Sequence, residues 1–237
     1  KVMMNQEKLT TIRERYNDLN SLNIKARLAK SSPIEMWTLE TLNHYGVQYN
    51  GETIKGWRKC KTKDDKSLKR DAEALHKDEF VYAQLKFRQP NSGTDIGCAI
   101  LQPYPGLEAL RKIIMTERDK FDYCLARDYK FDGIIYACLN NTWDKLMILP
   151  YREVVKPTYS KILKEWLADS SKPNLDNWNR TYRSSKYPGA ELKWKKDSGT
   201  RSWDSGEEKI ICYLPISLFE SDPRVAVVDM IDPPDYV

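Results

Sequence analysis

The fold class predicted for this chain is α/β, a mixed central sheet flanked by helices, and three observations predict it. Segments with apolar residues every three or four positions alternate with short apolar runs rich in Val, Ile and Tyr. Hydrophobic content of 41% against 31% charged is that of a chain able to bury a core. At 237 residues, one domain spanning 1–237 accommodates every segment.

Residues 4–30 read as helix, with Leu9, Ile12, Tyr16 and Leu19 on one side. "SSPIEMWTLETLNHYG" predicts a second helix that Ser32 caps, Pro33 opens and Gly46 ends. Ile34, Leu39, Leu42 and Tyr45 share its core-facing side with Glu35, whereas Glu40 points away. Asn50-Gly51 marks a turn, and "RKCKTKDDKSLKR" reads mostly as an exposed loop. "SLKRDAEAL" and "FVYAQLKFR" then form a strand pair around "HKDE". "RQPNSGTDIG", with Asp95, is a turn, and "CAILQPY" is expected to continue the same sheet. Residues 107–121 form a helix with Leu107, Leu110, Ile113 and Ile114 inward. "FDGIIYACL" and "KLMILPY" are apolar strands joined by "NNTWD", and "PTYSKILKEWLAD" is a helix. The chain then reads as loop-rich to about 205, followed by strands in "KIICYLPISLF" and "RVAVVDMI".

Composition excludes several classes. No run approaches a membrane span and the N-terminal stretch lacks the apolar core of a signal peptide, so an intracellular, cytoplasmic protein is expected. Cys60, Cys98, Cys124, Cys138 and Cys212 are widely spaced without a C-x-x-C pair, which predicts reduced thiols rather than a disulfide framework or zinc knuckle. With His44 and His76 the only histidines, a histidine-rich metal centre is out. Net charge is +5, and the acidic stretch after residue 204 leaves the preceding body more basic still. That is the footprint of a polyanion binder.

The candidate site begins with "VYAQLKFR", residues 81–88, where Gln84 and Lys86 sit on one face of an otherwise apolar strand. If Leu75 lies opposite Phe80 across the hairpin, Asp71 lies opposite Gln84 and Lys69 opposite Lys86. Directly opposite residues share a face, their Cβ atoms about 5 Å apart, so Asp71, Gln84 and Lys86 converge. The two lysines repel unless the strand frays or an anion such as a phosphate sits between them. An Asp suits Mg²⁺, a neighbouring Lys can orient or deprotonate a water, and Gln84 can add an uncharged oxygen. The competing structural reading is an Asp71–Lys86 ion pair on a solvated face.

Asp71 followed by Gln84-Leu85-Lys86 resembles the D…(E/Q)-x-K signature of the PD-(D/E)XK nuclease superfamily. The resemblance covers residues 33–141 and implies a restriction-endonuclease-like core with N- and C-terminal additions. It also implies a metal-dependent endonuclease, restriction-type or phage/repair-type, that cuts double-stranded DNA with Mg²⁺, or Mn²⁺ as substitute. By the same resemblance Asp71, Gln84 and Glu35 surround the metal, Lys86 handles the water, and a homodimer that cuts both strands stays open. Arg70 replaces the usual proline before the Asp, and Gln84 replaces the commoner Glu. The alternative from another class is a non-catalytic nucleic-acid-binding module on the same fold.

Two further signals stand apart. "YKFDG" resembles the K-x-D-G nucleotidyl-acceptor motif of DNA and RNA ligases, with Lys130 as nucleophile, but it reads equally as a turn before a strand. Residues 178–203 interleave Arg180, Arg183, Lys193, Lys195 and Lys196 with Trp and Tyr, a composition suited to nucleic acid or to a packed subdomain with solvated charges.

Overall fold

The computed structural model describes residues 4–20, 24–61, 70–87, 96–104, 131–168, 181–196 and 208–237, and its class is the expected α/β with a mixed sheet. Helix α1 (Gln6–Asn20) buries Leu9 and Ile12, as their spacing predicts. Helix α2 (Ile24–Tyr45) does not start at Ser32 but runs through Pro33. A proline keeps the φ a helix needs and removes one hydrogen bond, so flanking helix can outweigh it. The centre of its buried side is Trp37, fully enclosed, whose indole N–H donates to the Ile231 carbonyl at 3.0 Å; Tyr45, expected inward, is exposed.

Strands β1 (Val47–Tyr49) and β2 (Glu52–Ile54) form the hairpin expected at Asn50-Gly51, both in left-handed conformation. After them come β3 (Arg58–Lys59), β4 (Ala72–His76), β5 (Glu79–Lys86), β6 (Ile96–Tyr104), β7 (Ile135–Leu139) and β8 (Lys145–Pro150). A π-helical turn, Tyr151–Val155, leads into helix α3 (Lys156–Ala168). Strands β9 (Thr181–Arg183), β10 (Glu191–Lys196), β11 (Glu208–Pro215) and β12 (Ala226–Asp229) complete the order. The main sheet has the order β12-β8-β7-β5-β4-β3, with β5 and β7 parallel and its other pairs antiparallel.

Two expectations about strands are corrected. β6 does not extend the main sheet; it pairs with β11 in a second, antiparallel sheet of order β6-β11-β10-β9. Apolar patterning identifies a strand but not its partner. The stretch read as loop-rich contains β9 and β10 of that second sheet. The helix expected at 107–121 lies outside the described residues, as do Lys69, Asp95, Lys130 and Arg180.

Alternation along the strands divides the core in two. Ala72, Ala74, Ala83, Leu85, Ile135, Ala137, Leu146 and Ile148 pack with Leu9, Ile12, Ile34, Trp37 and Leu42 of the helices α1 and α2. Tyr136, Cys138, Met147 and Leu149 pack on the other side with Tyr159 and Ile162 of α3 and with Leu192, Cys212 and Leu214 of the second sheet. All of β7 is therefore buried, which explains its unbroken apolar run.

Gly133 marks where β7 enters this core. A Cβ there would stand 2.5 Å from the Tyr82 carbonyl and 2.2 Å from the Phe131 ring. The next residue, Ile134, donates its N–H to that same carbonyl at 2.9 Å. Gly133→Ala is expected to destabilise by about 1–3 kcal/mol, read as a lower urea midpoint.

Glu165 of α3 fastens the loop after β9. Its carboxylate accepts from Ser184 Oγ at 2.5 Å, Ser185 N at 2.6 Å, Ser185 Oγ at 2.7 Å and Lys186 N at 3.2 Å. Desolvation opposes its charge, but these hydrogen bonds prevail and hold the carboxyl at about 2, below its ordinary 4.5. Its stabilisation is complete above pH 4.5 and is lost as the pH falls towards about 2. Glu165→Gln is expected to lower the urea midpoint at neutral pH and to flatten the acid decline of stability across that window, followed by circular dichroism.

Candidate functional site

The β4–β5 hairpin closes through Lys77 and Asp78, at φ 48° and 65°, a two-residue turn whose twist suits antiparallel strands. Its register pairs Leu75 with Phe80 and Ala72 with Ala83, which carries Asp71 to Gln84. The ladder stops at Ala72, and Asp71 closes it with its side chain. Asp71 Oδ2 accepts the backbone N–H of Leu85 at 2.7 Å and the side-chain amide of Gln84. The main chain of Asp71 is held as well, its N–H by the Ala83 carbonyl and its carbonyl by the Cys60 N–H, both at 3.1 Å.

Gln84 is 5% exposed, one of few buried polar side chains among the described residues. An ionised carboxylate only accepts, so the NH₂ of Gln84 must face Asp71, which turns its carbonyl oxygen elsewhere. Lys86 lies two residues on, on the same side of β5 and half-buried. Across the parallel ladder, Gln84 is level with Tyr136 and Lys86 with Cys138. The polar row thus occupies the side facing α3 and the second sheet, at the C-terminal end of β5.

Glu35 is not brought to this row. It forms an ion pair with Lys59 Nζ at 2.5 Å, and Lys59 is opposite Ala72, a residue whose side chain packs on the α1 and α2 side. The inward-facing side of α2 leads to the face of the sheet away from Asp71 and Gln84. Glu40 is hydrogen-bonded to Tyr236. Among the described residues no three His, Cys, Asp or Glu side chains gather as a metal-ligand set. Asp71 and the Gln84 amide oxygen are the ligands the row offers, a sparse set. Mg²⁺ tolerates such a set because it keeps waters and takes substrate phosphate oxygens as further ligands.

A second pair beside the row was not singled out from sequence. Arg70 forks onto Asp132 through Nε to Oδ1 at 2.9 Å and NH2 to Oδ2 at 2.5 Å, and its guanidinium lies 3.7 Å from the centre of the Tyr82 ring. The hydrogen bonds and charge of Arg70 hold the Asp132 carboxyl below the usual carboxylate range despite partial burial. Arg70 directly precedes Asp71, and Asp132 lies in the run 129–133. Both positions are plain in the sequence, but only the approach of β7 to β5 joins them.

Of the basic, aromatic segment, the described residues include β9 and β10 of the second sheet. Arg183 is exposed and reaches Glu191 at 3.3 Å. Lys193, Lys195 and Lys196 are positions of β10 opposite Ile211, Lys209 and Glu208. No described helix is long and apolar enough to cross a membrane. No family model, curated protein or solved structure matches this chain.

The contacts of Asp71 yield a structural expectation independent of any chemistry. Asp71→Ala removes the acceptor for the Leu85 N–H and the Gln84 amide and is expected to cost about 1–3 kcal/mol in urea unfolding. Asp71→Asn, which retains a carbonyl oxygen, is expected to cost less.

Proposed function

We propose that the chain is a metal-dependent endonuclease hydrolysing DNA phosphodiester bonds, with Asp71, Gln84 and Lys86 as its working residues. The observation that carries this reading is the convergence of Asp71 and Gln84, joined by a hydrogen bond, on the side of β5 that also bears Lys86. The described part of the connectivity is compatible with it: of the helix, hairpin, helix and further strand of the PD-(D/E)XK core, α2, the β4–β5 hairpin and β7, which pairs with β5, are in order, while the second helix lies outside the described residues. In open α/β sheets, ligands gather at the carboxyl ends of parallel strands, and Lys86 ends β5.

In this reading Asp71, together with Gln84 once its amide turns to present its oxygen towards Asp71, would hold Mg²⁺ or Mn²⁺, which when bound would polarise a phosphoryl oxygen and acidify a water. Lys86 orients that water, takes its proton and offsets charge that accumulates on the phosphate. The ion pair with Asp132 steadies Arg70, the residue preceding Asp71. Glu35, tied to Lys59, has no part in the proposed site. Cations of the 178–203 segment add sequence-independent attraction to the duplex.

A second reading, a nucleic-acid-binding module without catalysis, is favoured by one observation. The Asp71 carboxylate already serves Leu85 and Gln84, and the commoner acid is absent at 84. Plasmid cleavage and metal-linked stability separate the two. For the nuclease, supercoiled plasmid is nicked with Mg²⁺ or Mn²⁺ and not in EDTA, and Lys86→Ala lowers the rate by about 10²–10⁴ while DNA binding persists. Gln84→Glu puts two carboxylates face to face, so its melting temperature is expected to fall in EDTA and to recover with Mg²⁺. Metal-independent cutting, or a Gln84→Glu variant indifferent to Mg²⁺, assigns the row to structure alone.

A further inference from the structure

Asp71 stands one residue beyond the β4–β5 ladder, which stops at Ala72, so strand pairing alone does not fix where its carboxylate points. A short set of contacts at the open end of the strand does. Its N–H donates to the Ala83 carbonyl and its carbonyl accepts from the Cys60 N–H, both at 3.1 Å. The preceding residue, Arg70, is held by its side chain: Nε and NH2 donate to the two Asp132 oxygens at 2.9 Å and 2.5 Å, and the guanidinium lies 3.7 Å from the centre of the Tyr82 ring.

Asp132 is anchored in its turn. Two residues on, Ile134 gives its N–H to the Tyr82 carbonyl at 2.9 Å and accepts the Tyr151 N–H on its own carbonyl at 2.8 Å, which ties this stretch to β5 and to the turn after β8. Gly133, between them, leaves no room for a Cβ. The exposed Arg152 adds a second positive charge that faces Asp132. With the Asp132 side chain 51% exposed, the ion pair adds little to global stability. Its geometry is the more informative feature: a planar fork, bidentate on one carboxylate and backed by a ring, admits few orientations. The main chain of residue 70 continues into Asp71, so fixing Arg70 fixes the direction from which Asp71 meets β5.

We infer that Asp132 is a positioning residue: acting through Arg70, it holds the Asp71 carboxylate against the Leu85 N–H and the Gln84 side chain, ready for the metal of the proposed site. The link to a metal rests on the nuclease reading; the hold on Asp71 does not. Asp132 touches no reacting group in this account, since its carboxylate is engaged by Arg70. Its effect is carried by the chain. A carboxylate fixed in advance loses less freedom when it takes a cation, and groups that orient metal ligands from behind raise metal affinity by about 10- to 100-fold. The Leu85 N–H, 2.7 Å from Asp71 Oδ2, reports the position of that carboxylate directly.

The test is amide hydrogen exchange at Leu85, followed by NMR in EDTA for wild type, Asp132→Asn and Asp132→Glu. Asp132→Asn keeps the shape and removes the charge, and is expected to speed exchange at Leu85 about tenfold while amides of the β8–β12 ladder keep their wild-type rates. Asp132→Glu restores a carboxylate and is expected to recover most of the protection. In parallel, the rise of melting temperature with Mn²⁺ measures metal binding, which Asp132→Asn is expected to weaken about tenfold. Unchanged exchange at Leu85, or an equal acceleration of every amide, overturns the proposal. Where wild type binds Mn²⁺, equal affinity in Asp132→Asn overturns it as well. Selective exposure of Leu85 in a protein whose wild type neither binds Mn²⁺ nor nicks plasmid upholds the positioning and removes the nuclease. Nicking by wild type, with Leu85 exchange unmoved by Asp132→Asn, removes the positioning and leaves the nuclease.

Discussion

A two-residue turn decides the side of the sheet on which every polar group of the candidate site stands. Lys77 and Asp78 both adopt left-handed backbone, and the tight turn they make sets Leu75 against Phe80. Because side chains alternate, a slip of one residue would send Gln84 and Lys86 into the apolar layer under α1 and α2 and bring Ala83 and Leu85 out. The alanines opposite one another at 72 and 83 reinforce this register, since they admit the helices closely on one side only. Asp71 gains its position from the same turn, and its carboxylate then substitutes for the missing next rung of the ladder.

The parallel partner of β5 supplies the rest of the setting. β7 comes so near Tyr82 that only glycine is accommodated at 133, and this approach delivers Asp132 to Arg70. One short run of chain thereby joins a steric requirement, a backbone hydrogen bond and a charged fork. The fork lies next to Asp71 in sequence, so the ion pair and the polar row are mechanically continuous. Its energetic value is moderated by exposure of Asp132, about half of whose side chain remains open to solvent.

Charge is used differently on the two sides of the sheet. On the helix side, Glu35 and Lys59 form an ion pair beside the apolar layer packed under α1 and α2. On the other side, polar and charged groups run from exposed Arg58 on β3, by way of Glu73 on β4, to buried Gln84 on β5. A buried amide held by a half-buried carboxylate that also takes a backbone N–H is a stable structural element, which is why the same pair supports both a structural and a catalytic account. A metal or a phosphate changes that balance by offering the remaining oxygens a stronger interaction.

Local chemistry in the chain was sufficient for much of this. Periodicity identifies α1 and α3, the apolar strands β7, β8, β11 and β12, and local chemistry the turns at Asn50-Gly51 and "NNTWD"; a pairing of Leu75 with Phe80 is enough to put Asp71 opposite Gln84. Such features depend on neighbours a few residues apart, which a sequence displays directly. Other outcomes depended on distant partners. β6 joined β11 across more than a hundred residues, Trp37 found the Ile231 carbonyl, and Glu35 was claimed by Lys59 rather than by Asp71. Arg70 and Asp132 are both plain in the sequence, yet nothing local couples residues 62 apart. Tertiary structure decided these because burial and pairing are settled by whichever surfaces meet when the whole chain condenses, whereas turn geometry and alternation are settled by the residues themselves.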